Sequence, residues 1–366
     1  MKKKQKELLL FMPSIEGGGV EKNLIIIGNY LTKYVKSIKL ITYGEKFNNN
    51  FNTKIKIINP KKKHKNKSKY FKYLVCLLLL IKEIIKNKHT LVFAFQANIY
   101  CIILSKIFKF DVLVRSNSSP TGWSGNFFKK IVFNFFLKFA KEIIVNSKEF
   151  QKEFKKKFNV NTKVIYNPLN INEIQHLAKQ KFKLNFYKKK KNIKIINIAR
   201  FTDQKDHITL LKAFLELNKT YDCELLIMGY GPNKVIIDDF IKKNKLQKKI
   251  KVIGFQINPY KYINKSDLLV LTSIYEGLPN VILEAIALKK FVISSDCPTG
   301  PKEILKNGKY GYLFKPTSHF DLTSKLIKFI NNKNKTQMTN KAYKSLDRFD
   351  YEKNNKKYLK IIKFYL

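Results

Sequence analysis

Arginine is almost missing from this chain of 366 residues: of 73 basic residues only Arg115, Arg200 and Arg348 are arginine, the rest being lysine. Acids are scarce too, 26 in all, which leaves a formal charge of +47. Such a surplus invites nucleic acid, an anionic membrane or an acidic substrate as partner. Lysine, asparagine and isoleucine are nevertheless spread along the whole chain, so a drift in composition accounts for the charge as well as a binding face does. Against that background an arginine stands out, because its planar fork makes bidentate oxyanion contacts that lysine cannot copy. The four cysteines, Cys76, Cys101, Cys223 and Cys297, form no CxxC pair. That excludes a disulfide framework or thiolate metal site and predicts reduced core thiols of a cytoplasmic protein. Long apolar runs are also lacking. The longest, Tyr73 to Ile81, is nine residues, against roughly 20 needed to cross a bilayer. Leu8 to Met12 is too short for a signal-peptide core and is stopped by Pro13. The expectation is a soluble or peripheral protein that is not secreted. The absence of G-x-G-x-x-G and of a P-loop sets aside dinucleotide dehydrogenases and P-loop ATPases, and no Asp-x-Asp pair is present.

What is present is regular. Hydrophobic content of 45% in 366 residues supports two folded cores. Strand-like segments at Leu8 to Met12, Ile38 to Thr42, Thr90 to Phe95, Val112 to Val114, Glu142 to Asn146 and Lys163 to Tyr166 alternate with helical ones such as Lys22 to Lys33. Asn167-Pro168-Leu169-Asn170 then reads as a domain exit, followed by Lys-rich, weakly patterned sequence to Asn192. A second alternating series runs through Ile193 to Ala199, Asp206 to Lys219, Glu224 to Met228, Asn233 to Asn244, Ile250 to Ile253, Leu268 to Leu271, a helix from Pro279, and Phe291 to Ser294. The pattern predicts an α/β protein of two doubly wound, Rossmann-like domains, 1–168 and 169–350, with a final helix 351–366 packing back on the first.

The most pointed segment is Tyr275 to Glu284, with two carboxylates eight positions apart around Gly277-Leu278-Pro279. The preceding apolar run places Glu276 at the carboxyl end of a buried strand, the edge where parallel sheets bind ligands. Gly277 permits close backbone approach, Pro279 suits a first helical turn, and the free N–H groups that follow favour a diphosphate. Glu276 and Glu284, roughly 12 Å apart if helical, could touch opposite ends of one extended ligand; an ordinary helix start with surface acids is the plain alternative. Gly17, Gly18 and Gly19, between the first strand and first helix, suit a tight turn against a phosphate or sugar, or a tight turn alone.

In the second series Ala199 to His207 makes a cationic loop at the same edge. Arg200 and Lys205 there could neutralise a leaving diphosphate, the service a metal gives elsewhere, and His207 reads as a helix-start residue. Asp238 and Asp239 sit within a helical pattern and face solvent in this reading. Gly229 to Pro232, with Gly231, and Gly254-Phe255-Gln256 are turns that shape a nucleobase pocket or simply punctuate the chain.

In order along the chain, Gly17 to Glu21, Ala199-Arg200-Phe201-x-x-x-Lys205, Tyr275 to Ala285, Asp296 to Leu305 and Asn307 to Phe314 resemble the retaining GT4-family glycosyltransferases of GT-B fold. The resemblance is specific in the second half and loose in the first. It implies two Rossmann-like domains facing across a cleft, an acceptor-binding domain and a nucleotide-sugar-binding domain, retention of configuration and no metal or other cofactor. It implies that Glu276 contacts the donor sugar, Glu284 the ribose, Arg200 and Lys205 the diphosphate, and backbone amides near Asn280 and Val281 the phosphate oxygens, with Gly277 and Leu278 alongside. Many members carry a histidine at the carboxyl end of a first-domain strand. Here stands Val114-Arg115-Ser116-Asn117-Ser118-Ser119-Pro120, similar to transferases that build bacterial surface and lipid-linked oligosaccharides. Arg115 and Asn117 are then candidates for acceptor or donor hydroxyls, a polar strand-ending loop being the alternative.

Two stretches bear on membranes. Lys61 to Lys72 is basic and runs into Tyr73 to Ile81, and Asn126 to Lys141 mixes Phe127, Phe128, Phe133, Phe135, Phe136 and Phe139 with lysines. Either these Phe are core, or the stretches dock on an anionic surface. The expectation is a metal-independent glycosyltransferase, peripheral on the inner face of the cytoplasmic membrane. It moves a hexosyl or N-acetylhexosaminyl unit from a nucleotide sugar, expected to be UDP-linked, to a glycan or lipid-linked glycan in bacterial polysaccharide or lipopolysaccharide biosynthesis, with no nucleic-acid partner. A UDP-sugar 2-epimerase on the same fold and a basic RNA-binding protein are the alternatives.

Overall fold

The computed structural model describes residues 6–45, 47–61, 68–117, 127–187 and 191–366, with 127–129 described by backbone alone. The chain divides into two units, Met1–Pro168 with Tyr351–Leu366, and Leu169–Asp350.

The first unit runs β1 (Glu7–Phe11), α1 (Gly19–Leu31), β2 (Ile38–Ile41), β3 (Ile55–Ile58), α2 (Lys69–Lys86), β4 (Thr90–Ala94), α3 (Asn98–Phe108), β5 (Asp111–Ser116), α4 (Phe127–Phe136), β6 (Glu142–Val145), α5 (Lys148–Phe158) and β7 (Lys163–Val164). Its seven strands pair in the order β3-β2-β1-β4-β5-β6-β7, every ladder parallel. Strand residues alternate between two cores. Leu9, Phe11, Val92, Val112 and Val145 meet α2, α3 and α5 through Cys76, Leu80, Cys101 and Phe154. Leu8, Leu10, Phe93, Leu113 and Ile144 face the opposite way. Burial on both faces is why the central strands β1, β4 and β6 carry apolar runs, Leu8 to Phe11, Leu91 to Ala94 and Ile143 to Val145.

The second unit runs α6 (Ile171–Ala178), β8 (Ile193–Ile198), α7 (His207–Leu217), β9 (Cys223–Met228), α8 (Lys234–Lys243), β10 (Ile250–Ile253), α9 (Tyr260–Lys265), β11 (Leu268–Leu271), α10 (Asn280–Ala287), β12 (Phe291–Ser295), α11 (Pro301–Ile304), β13 (Tyr312–Phe314), α12 (His319–Asn331) and α13 (Lys335–Lys344). Strand order is β10-β9-β8-β11-β12-β13, parallel throughout. Chain direction across the sheet reverses between β8 and β11, and ligands of such sheets collect beyond the carboxyl ends at that point.

The final helix, α14 (Tyr351–Tyr365), lies with α1 on the first sheet, contributing Tyr358, Ile361 and Ile362 to its core. The Tyr30 hydroxyl donates to Glu352 at 3.0 Å.

Several elements escape the sequence pattern, the helices α9, α11, α12 and α13 among them. α6 falls in the stretch read as weakly patterned, where Asn170 caps it by accepting from the Glu173 N–H. The strands β3 and β13 are short edge strands with little sequence to show a period. β7 is shorter than the expected Lys163 to Tyr166, an edge strand of two residues.

Candidate functional site

The loops after β8 and β11 flank the reversal point of the second sheet and are stitched together. Ile274 N–H donates to the Gln204 carbonyl at 2.8 Å. The Gln204 amide donates to the Tyr275 carbonyl at 2.8 Å, and the Thr272 hydroxyl to the Lys205 carbonyl at 2.8 Å. Asp206, at positive φ of 43°, caps α7 by accepting from Thr209, which fixes the residue just before it. As a result the Lys205 ammonium meets the Glu276 carboxylate at 2.5 Å, with both side chains largely buried. The Ser273 hydroxyl donates to the same carboxylate oxygen at 2.6 Å.

The loop after β12 closes on the other side. Ser295 donates to the Ser273 carbonyl at 2.5 Å and Thr299 to the Glu276 carbonyl at 2.7 Å. Gly300 sits at φ 70°, and a Cβ there would lie 1.9 Å from the Gly277 carbonyl oxygen, so only glycine lets these turns touch. Gly277, Leu278 and Pro279 are buried directly before α10. Pro279 stands at the cap position, one place before the helix proper. Asn280 and Val281 open α10 half-buried, and Glu284, its fifth residue, is buried.

Arg200 lies at the carboxyl end of β8 and is exposed, its side chain without a hydrogen-bond or ion-pair partner among the described residues. Close by in sequence, Phe201 is buried and meets His207 edge to face, ring centroids 5.2 Å apart. His207 opens α7, as its place in the sequence suggests. It is 3% exposed, and neither ring nitrogen finds a partner. Burial first, and the Lys205 charge second, lower its pKa to about 4. The Cys297 thiol is pushed up to about 12 by burial and then by the Glu276 charge, so it stays protonated at neutral pH.

Gly231 has a packing reason for being glycine. At φ 151° its missing Cβ would lie 2.3 Å from the Phe201 carbonyl oxygen, so the turns after β8 and β9 press together there. Phe255 stands edge to face with Tyr230 at 6.2 Å, both half-buried, and Gln256 accepts from the Tyr262 hydroxyl at 3.2 Å. Asp238 pairs with Lys234 on the outer face of α8. Among the described residues no three His, Cys, Asp or Glu gather as a metal site would need.

The other candidates belong to the first unit. Gly17 turns at φ 89°, and Gly18 caps α1, where a Cβ would lie 2.7 Å from a Glu21 carboxylate oxygen. The Glu16 N–H donates to Glu21 at 3.4 Å, and the Glu16 carboxylate takes bonds from Ser14 and Lys72. With two carboxylates beside Gly17, Gly18 and Gly19, this turn suits sugar hydroxyls better than a phosphate.

Arg115 corrects an expectation. It is 1% exposed, and its guanidinium donates to Tyr358 at 2.9 Å, to Asn167 at 2.5 Å and to Asn117, beneath the Phe95 ring. Each of the three guanidinium nitrogens bonds inside the unit and the side chain is almost wholly buried, so Arg115 ties β5 to α14 and does not stand open to an acceptor hydroxyl. Asn117 spends its amide nitrogen on the Phe95 and Arg115 carbonyls. Ser118 to Pro120 lie outside the described residues, as do Lys62 to Lys67 of the basic run, Asn126, and the side chains of Phe127 and Phe128.

Sequence reasoning passed over Gln204, Thr272, Ser273, Ser295 and Thr299. The available signal was polar residues placed right after buried strands, which hydrogen-bond neighbouring turns.

Two such parallel sheets, with a stitched loop cluster at the reversal point of the second, define a GT-B architecture. A crystal structure of HepE from Anabaena, in complex with UDP and glucose, superposes with a TM-score of 0.78 at 20% identity over 98% of this chain and 99% of that one. Residues 178–345, all within the second unit, match the family model described as glycosyl transferases group 1. An uncharacterised glycosyltransferase of Methanocaldococcus jannaschii is 34% identical over 243 residues, 59% of this chain and 60% of its own length. The match thus spans about three fifths of that relative's length. An N-acetylgalactosamine-N,N'-diacetylbacillosaminyl-diphospho-undecaprenol 4-alpha-N-acetylgalactosaminyltransferase of Campylobacter jejuni is 26% identical over 84% of this chain and 85% of its own. Over residues 178–345 the chain belongs to the group 1 glycosyltransferases, and over most of its length it is similar to relatives of that group.

Proposed function

We propose that the chain transfers a hexosyl or N-acetylhexosaminyl unit from a UDP-sugar to a glycan or lipid-linked glycan, retaining anomeric configuration and needing no metal. The carrying observation is the Lys205–Glu276 pair at the reversal point of the second sheet, next to exposed Arg200 and the start of α10. An ammonium held by a carboxylate in a largely buried place is a cation kept ready for an anion. When a diphosphate arrives, Lys205 and Arg200 turn to it, the α10 amides near Asn280 and Val281 take phosphate oxygens, and Glu276 is freed for the sugar hydroxyls. Glu284 holds the ribose, and Tyr230 and Phe255 with Gln256 flank the base. The second unit is thus the nucleotide-sugar domain and the first the acceptor domain, where the Gly17 to Gly19 turn with Glu16 and Glu21 meets sugar hydroxyls.

In the transfer the bond from the anomeric carbon to the diphosphate oxygen breaks, and a bond to the acceptor oxygen forms on the same face. The departing phosphate oxygen takes the acceptor proton. Lys205, Arg200 and the helix start hold the growing negative charge, the largest single service such a site can give. The relatives support the two substrate classes: HepE was crystallised with UDP and glucose, and the Campylobacter enzyme's name specifies an undecaprenol-linked acceptor.

The test is NMR-detected turnover of UDP- and GDP-sugars by the purified chain in EDTA, with and without a membrane lipid extract. Release of UDP from one donor, raised by the extract and abolished by Glu276→Ala, is the expected result. Folded protein that neither binds nor turns over any donor overturns the reading, and a strict requirement for added magnesium overturns its metal-free part.

A further inference from the structure

The helices α2, α3 and α4 each leave apolar side chains in water. On α2 these are Tyr70, Leu74, Leu78 and Ile85, with Leu78 59% and Ile85 64% exposed. The spacing of four, four and seven keeps them on one stripe of the helix. α3 adds Tyr100 and Ile107, and α4 adds Ile131, Val132 and Phe135. Between α2 and α3 lies a groove lined by Leu74, Leu77, Leu78, Tyr100, Ile103 and Leu104 among others. The inner faces of the same helices are already packed on the sheet, with Phe133, Phe136 and Phe139 against that core. The stripe is therefore surplus to the fold. A single exposed Leu means little, whereas a contiguous apolar face on neighbouring helices marks a surface that is covered in use.

Charge indicates what covers it. The three helices contain one acid, Glu83, which is buried and held by Lys39 at 2.8 Å and Lys86 at 2.5 Å. Lys82, Lys86, Lys106 and Lys130 are exposed around the stripe, and Lys109 follows α3. A second copy laid face to face would set lysine against lysine with no carboxylate opposite. A bilayer with anionic headgroups answers both features, taking the apolar stripe into its headgroup–acyl boundary and the lysines at its phosphates. Among the described residues no helix is long and apolar enough to cross a membrane, so contact of this kind is made by helices lying along the surface.

We propose that the outer face of α2, α3 and α4 docks the protein on an anionic bilayer, with Leu74, Leu78, Ile85, Ile107 and Phe135 inserted and Lys82, Lys106 and Lys130 against the headgroups. The face belongs to the first unit, and the inference stands apart from the donor chemistry assigned to the second.

The experiment is co-sedimentation of the full chain with phosphatidylcholine vesicles, with and without about 30% phosphatidylglycerol. Binding is expected only with the anionic lipid and to weaken as salt rises. Leu74→Glu with Leu78→Glu should lower partitioning by at least about tenfold. Lys82→Ala and Lys106→Ala should each lower it about fivefold, the factor matching roughly 1 kcal/mol per lysine. Equal binding to neutral vesicles, or retained binding in the Leu pair variant, overturns the proposal. So does sedimentation showing a dimer that the Leu pair variant breaks, which would assign the face to a second copy. UDP titration of each variant separates the two readings: unchanged UDP binding with lost vesicle binding isolates docking. No UDP binding by the parent chain counts against the donor site alone and leaves vesicle binding to judge this surface.

Discussion

Three arginines meet three fates. Arg115 is enclosed by Tyr358, Asn117 and Asn167, and Arg348 donates to the Glu303 and Ile304 carbonyls at the end of α11. Arg200 stays exposed at the carboxyl edge of the second sheet, the edge where parallel sheets of this kind collect ligands. A side chain kept out of internal bonding at that edge is free to meet an anion, and nearby Lys205, whose ammonium among the described residues meets Glu276 alone, has the same freedom once a stronger anion displaces the carboxylate. Lys205→Ala is expected to slow UDP release by about a hundredfold in a protein that still folds, with a lowered urea midpoint because Glu276 loses its partner, as read by steady-state turnover and urea titration. Ser273 fixes the carboxylate that Lys205 leaves behind. Gly300→Ala, which forces a Cβ against the Gly277 carbonyl at a positive φ, should destabilise by about 1–3 kcal/mol and raise KM for the donor, because the turn before α10 must move.

At the scale of elements, α7 carries a built-in acid sensitivity. His207 at its first position is buried, its ring nitrogens without hydrogen-bond partners among the described residues, and has a pKa lowered to about 4. The unfolded chain, with an ordinary histidine pKa near 6.5, binds the proton first as pH falls. The stability that neutral His207 preserves is therefore complete above about pH 6.5, lost progressively down to about pH 4, and gone below it. The loss is about 3 kcal/mol over that window. His207→Leu should flatten this part of the pH dependence, measured as urea midpoints from pH 7 to pH 4.5. The same helix start holds Lys205 in place through the Asp206 cap, so acid should reduce donor affinity before the protein unfolds.

At the scale of the whole molecule, both ends of the chain build one unit. α14 closes the first sheet's core with Tyr358 at its centre, completely buried beneath Arg115. Tyr358→Phe keeps the ring but leaves the Arg115 Nε–H without its acceptor, and should destabilise the first unit by about 1–3 kcal/mol. UDP binding by the second unit should be unchanged. Chemical denaturation followed by hydrogen exchange in each unit would read both outcomes. The net charge of +47 belongs to this scale as well: spread along the sequence it names no partner, and only where it borders an unpaired apolar stripe does it point to one.

Most central strands were legible because both sheet faces are buried there, so residues such as Leu268–Leu271 form apolar runs whose limits are the strand limits. Helix starts were legible from Pro279 and from the polar residues near His207. Short edge strands such as β13 were not, since three residues show no period. The sequence by itself determined which residues stand at the carboxyl ends of strands, because strand, turn and helix follow one another locally. It could not say that Lys205 and Glu276, 71 positions apart, bond to each other. That contact follows from β8 and β11 lying side by side in the sheet, and strand order is a property of the packed whole. The difference between Arg115 and Arg200 has the same origin: identical side chains, both after apolar runs, one covered by a helix from the far end of the chain and the other left open.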